Sequence, residues 1–136
     1  MRKFLSWALV LIATFFLTGM GGIGGQPTGK TPETPEDIGA RLVDRQGNAV
    51  DLTQLSMDGN VFVKGDVGSG NLTVPMAKIK KLTFGPVRGE FVPVTVLMKT
   101  GEQVELRMSK RADFYGNMGV GAYRVEASKV REISLR

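Results

Sequence analysis

Residues 68–84, GSGNLTVPMAKIKKLTF, are answered 51 positions later by residues 119–135, GVGAYRVEASKVREISL. The two blocks align without a gap. Gly68/Gly119, Gly70/Gly121, Val74/Val125 and Lys78/Lys129 are identical, and Ile79/Val130, Leu82/Ile133 and Phe84/Leu135 keep their apolar character. Each block begins with a G-x-G turn, where glycine permits a positive φ, and continues as a short strand that ends at Val74-Pro75 or Val125-Glu126. Proline donates nothing to a ladder and suits a strand end. The spacing of Ile79, Leu82 and Phe84, three and then two, reads as one helical turn running into a strand, and Val130, Ile133 and Leu135 repeat it.

Upstream, VDRQGNAVDL (43–52) is echoed by LMKTGEQVEL (97–106), an offset of 54 rather than 51, so the first copy carries three additional residues between its blocks. Both upstream blocks read as hairpins, with turns centred on Gly47 and Gly101. Residues 102–108 alternate cleanly: Val104, Leu106 and Met108 share one face, Gln103, Glu105 and Arg107 the other. That period marks a half-buried antiparallel strand. Residues 61–64 read as an extra strand of the first copy, and residues 91–98 open the second.

The expectation is an all-β fold, a small β-barrel or sandwich made from two tandem repeats of about 50 residues, 40–84 and 91–135. One copy alone buries too little surface to be stable. Two copies packed about a pseudo-twofold axis close a shared core. The hairpin VTVLMKTGEQVELRM, residues 94–108, resembles strands of Sm-like and SH3-like small barrels. The resemblance implies a small barrel and no more, since no Sm-type RNA-binding signature follows it.

The start of the chain has a different character. Arg2 and Lys3 precede residues 4–17, an uncharged apolar run broken only by Ser6 and Thr14, and small residues follow. Two cations, an apolar core and small residues is the layout of a secretory signal peptide. A run of about 14 residues makes a helix of about 21 Å, short for a bilayer core of about 30 Å. Residues 1–25 are therefore expected to be a hydrophobic signal helix, cleaved on export or retained as an anchor. Gly19-Met20-Gly21-Gly22-Ile23-Gly24 matches G-x-G-x-x-G. It follows a signal core rather than a strand, so it carries no dinucleotide reading. Residues 26–38 hold three prolines and read as a flexible linker, leaving 39–136 as the β domain.

Composition narrows the chemistry. With no cysteine and no histidine among 136 residues, disulfides, lipid attachment at cysteine, zinc sites of the usual ligands, thiol nucleophiles and histidine-dependent triads are excluded. The formal charge is +5. Without Arg2 and Lys3 there are 16 basic against 13 acidic residues, well short of a nucleic-acid signature. No cofactor and no metal is expected.

The candidate binding stretch is DFYGNMGVG, residues 113–121, read as a loop. Phe114, Tyr115 and Asn117, with Lys110 and Arg111 just before it, are the residues to stack on a sugar or grip a peptide. The reading to be preferred for Phe114 and Tyr115 is that they plug one end of the barrel, and the stretch is otherwise the best single choice for a binding loop. A basic cluster of Lys78, Lys80 and Lys81, with Arg88 nearby, suits a polyanion if all four share a face, and a solvated, aggregation-resistant edge if they do not. Asp58, Asp66 and Asp113 are the loop carboxylates open to acid–base work, with nothing in the sequence to bring two together.

The leading expectation is an exported, periplasmic or secreted module of the cell envelope, non-catalytic, binding a protein or glycan. An inner-membrane anchor facing the periplasm is the variant if the signal is retained. The alternatives are a cytoplasmic or membrane-tethered small barrel that binds nucleic acid or another polyanion, and a carboxylate-based hydrolase.

Overall fold

A computed structural model describes Pro32 and residues 34–136. The expected signal segment 1–25 and the start of the linker lie outside the described residues. The rest folds as ten strands: β1 (Ala40–Asp44), β2 (Ala49–Met57), β3 (Phe62–Val67), β4 (Gly70–Pro75), β5 (Ile79–Phe84), β6 (Phe91–Met98), β7 (Gln103–Ser109), β8 (Asp113–Asn117), β9 (Ala122–Glu126) and β10 (Val130–Leu135). They form one antiparallel sheet in the order β9-β8-β2-β1-β10-β5-β6-β7-β3-β4. The fold is all-β, and the sheet curls into a half-barrel. It does not close: among the described residues β9 and β4 each pair on one side only.

Exchanging β1–β5 with β6–β10, strand for strand, leaves this order unchanged. The exchange centres on the β5–β10 pair, where Leu82 faces Ile133, Lys81 faces Ser134 and Thr83 faces Glu132. Leu82 and Ile133 are counterparts in the 51-residue alignment, and both are fully buried. The hairpin registers obey the other offset. Leu42 faces Val50 in β1–β2, and Val96 faces Val104 in β6–β7, each residue 54 positions from its counterpart. Gly47 and Gly101 take φ of 91° and 98° in the two turns, a region other residues enter only at a cost.

The β3–β4 and β8–β9 hairpins cross over. β3 pairs with β7 at Asp66 and Arg107, and β8 pairs with β2 at Thr53 and Asn117. Each hairpin thus joins a strand from the other half of the chain. Gly65 and Gly116 make the crossing possible. A Cβ on Gly65 would lie 2.5 Å from Leu106 Cδ1 and 2.6 Å from the Arg107 carbonyl oxygen; one on Gly116 would lie 2.9 Å from Leu52. The core fills the inner face, with Leu52, Leu106, Met108 and Ile133 inaccessible and the Phe84 and Phe114 rings edge-to-face at 5.8 Å. Such aromatic pairs contribute about 0.5–1.5 kcal/mol beyond their buried area.

Three sequence expectations are corrected. Residues 113–117 are a strand, β8, the counterpart of β3, so both halves carry the strand assigned to the first alone. The spacing of three between Ile79 and Leu82 comes from a β-bulge. Met98 and Leu97 face Ile79 and Lys81, and Asp44 and Val43 face Val130 and Glu132 in the same way. The extra residue of a bulge shifts the side-chain period by one. The helical turns precede these positions, as 3₁₀ turns at Met76–Lys78 and Ala127–Lys129. No described helix is long and apolar enough to cross a membrane.

Tyr123 on β9 packs against the core. Burial, and then the negative charge of Asp44, raise its phenol from 10.0 to about 12. Because the folded value is the higher, the stabilisation is complete below pH 10 and is lost as pH climbs toward 12, by about 2–3 kcal/mol. Urea unfolding across this range should show the loss in the wild type, and Tyr123→Phe should reduce it, leaving the part that the raised phenol of Tyr115 contributes.

Candidate functional site

The alternation of β7 sends Leu106 and Met108 inward and leaves Arg107 on the outer face. There the Arg107 guanidinium lies 5.2 Å from the centre of the Phe91 ring. Its Nη2 donates to the Gly68 carbonyl oxygen at 3.2 Å and sits 3.9 Å from Asp66 Oδ2. The Asn71 amide donates to Asp66 Oδ1 at 2.7 Å. Four strands therefore converge on one ridge: Phe91 from β6, Arg107 from β7, Asp66 from β3 and Asn71 from β4. Phe91 keeps 37% of its surface exposed.

Half-open hollows lie on either side of the ridge, of about 500 and 490 Å³, and both are bounded by Asp66, Phe91 and Arg107. The first adds Lys64, Asn71, Thr73, Ser109 and Arg111; the second adds Arg88 and Glu105. Amide, hydroxyl, cation and aromatic groups on one concave face can hydrogen-bond and stack on a polar partner. Asp58 and Asp66 border the first hollow together, a meeting of two carboxylates that the sequence did not disclose. Both are engaged, since Asp58 Oδ1 accepts from the Asp113 backbone N–H at 3.0 Å. No group of three or more His, Cys, Asp or Glu suited to a metal occurs among the described residues.

The residues singled out in the sequence scatter. Phe114 is fully buried against Phe84, because it stands at an inward position of a strand rather than in a loop, and its ring offers nothing to a ligand at the surface. Tyr115 is half-buried on the opposite face, its phenol raised by burial and by Asp113. Asn117 Oδ1 accepts from Gly119 N–H at 2.7 Å and shapes the β8–β9 turn, within which Val120 is 95% exposed. Lys110 and Arg111 lie 3.7 and 3.9 Å from the Glu90 carboxylate. Of the candidate binding set, Arg111 alone lines a hollow.

Nor do the basic residues assemble. Lys78 sits in the 3₁₀ turn, Lys80 is exposed at the bulge, and Lys81 pairs with Glu132 at 3.5 Å. Only Arg88 reaches a hollow. Of the ridge residues, Asp66 was singled out only as a loop carboxylate for acid–base work, and Arg107, Phe91 and Asn71 were missed. One signal was available: a hairpin turning at Gly101 puts Phe91 opposite Ser109, beside Arg107. The crossing that delivers Asp66 and Asn71 left no such trace.

Residues 34–136 match a family model described as "Uncharacterised protein". The chain belongs to this family. The match spans the whole ten-stranded sheet, so the ridge and both hollows are features of the family domain in this chain. No curated protein matches the chain, and no solved structure does.

If the guanidinium is held by the ring, the two side chains must be energetically coupled. A double-mutant cycle of Arg107→Ala and Phe91→Ala, followed by urea unfolding, should give a coupling of about 0.5–1 kcal/mol. A coupling of zero would mean that their proximity contributes nothing.

Proposed function

We propose that this family domain is a non-catalytic binding or assembly module of the cell envelope, exported by its hydrophobic start and presented on a proline-containing tether. The partner, a protein or a glycan, docks on the outer face around Arg107 and Phe91. The observation that carries this reading is the ridge itself: a guanidinium fixed over a half-exposed ring between two solvent-open hollows. Fixing such side chains beforehand lowers the entropy lost on binding.

The polyanion alternative has less support, because Lys81, Lys110 and Arg111 are paired with carboxylates and Lys78 and Lys80 lie away from Arg88's hollow. The hydrolase alternative would need a free pair of carboxylates. Asp58 accepts a backbone hydrogen bond, and Asp66 is shared between Asn71 and Arg107.

The same reading includes an origin. We infer that residues 40–84 and 91–135 descend from one duplicated unit that formed a twofold dimer by exchanging hairpins. The invariant strand order, the paired bulges and the matched glycines support this. In this account the site arose by divergence. The Asp66–Arg107 pair corresponds to Asn117–Thr53, where no charge remains.

Intact-mass measurement of the native protein in each cell fraction tests the export. A chain beginning between residues 22 and 26 in the periplasm or medium, or a full-length chain in the membrane, is expected. A full-length chain in the cytosol would remove the envelope assignment.

A further inference from the structure

The two edges of the sheet are counterparts under the exchange of halves, yet they are guarded differently. β9 carries Arg124 and Glu126, and Arg124 is tied to Asp113 at 3.2 Å. β4, GNLTVP, carries no charge; its Asn71 and Thr73 line the first hollow, while Val74 is buried and Leu72 packs against the core. Edge strands present a row of unpaired backbone donors and acceptors, and soluble proteins blunt them with charges or proline. Here one edge is blunted. The other is open along its length among the described residues, with Pro75 at its end.

Charge indicates what the open edge takes. Of the two carboxylates of the adjacent hollow, Asp66 faces the Arg107 guanidinium and accepts from Asn71, while Asp58 accepts from the Asp113 N–H and keeps its charge. Lys64, exposed on the same face and in register with Thr73, enters no ion pair among the described residues. The lining of this hollow holds three cations, Lys64, Arg107 and Arg111, against two carboxylates, Asp58 and Asp66, so the balance of charge beside the edge is positive.

We propose that β4 is a docking edge for an extended acidic segment of a partner protein, which adds an eleventh strand and places alternate carboxylates toward Lys64. Main-chain hydrogen bonds supply the affinity, and alternate side chains supply the specificity. A residue opposite Thr73 stands two strand spacings, ~10 Å, from Lys64, a span that extended glutamate and lysine side chains close together. This rests on the reading of the domain as a binding module, and it names the class of partner.

The test titrates the ¹⁵N-labelled domain with a capped hexapeptide of alternating glutamate and valine, followed by amide shifts and hydrogen exchange. Shifts and added protection should centre on residues 71–74, leaving β9 unmoved. N-methylation of alternate peptide residues should abolish binding, and Lys64→Glu should weaken it about tenfold. An acidic oligosaccharide, oligogalacturonate, serves as the second probe. Shifts from it alone, centred on Arg107 and Phe91, would overturn the peptide proposal while leaving the binding-module reading in place. Concentration-dependent shifts of β4 without any peptide would make the occupant a second copy of this chain and overturn it too. So would silence of β4 toward the peptide up to about 5 mM, an affinity too weak to matter.

Discussion

The structure depends on the pairing of β5 with β10 through Leu82 and Ile133. Both side chains are fully buried, so the register cannot slip: a shift of one residue would turn the apolar side of each strand to water. The pair joins the two halves of the chain, and the remaining strands extend outward from it in matching order. Neither half completes its own sheet. Each lends a hairpin to the other, and the close approach of Gly65 to Leu106 and of Gly116 to Leu52 ties both exchanges to the same core. A side chain at either glycine would force a backbone shift into packing that has no room for it.

From this symmetry follows a way to locate function. Where the halves agree, the residues are accounted for by the fold: turn glycines, bulges and the inward apolar rows. Where they disagree, the symmetry of the fold does not account for the residues. The outer face of β7–β3–β4 holds Arg107, Asp66 and Asn71 where the equivalent face of β2–β8–β9 holds Thr53, Asn117 and Ala122. One edge strand is charged and the other is bare. Both differences fall around the same hollow.

Much of the fold was legible in the residues. The turns at Gly47 and Gly101, the alternation through Leu106 and Met108, and the offsets of 51 and 54 are physical periodicities that survive into the registers. What could not be read was partner choice among strands. A repeat says that β3 resembles β8, but it does not say that β3 will pair with β7 rather than β2. The bulges disguised themselves as helical spacing because one extra residue turns a period of two into three. Residues 113–117 passed for a loop because Gly116, whose missing Cβ admits Leu52, interrupts the apolar pattern of a strand. The ridge was hidden by the choice of partner strands, since two of its four residues arrive by hairpin exchange.

The most direct measurement is the folding of the halves produced as separate chains, residues 34–87 and 88–136. Mixed in equal amounts, the two fragments should recover the cooperative unfolding of the intact domain, and each alone should be unfolded or should pair with itself, because each lacks the hairpin that the other lends. A half that folds alone as a stable monomer would contradict the account.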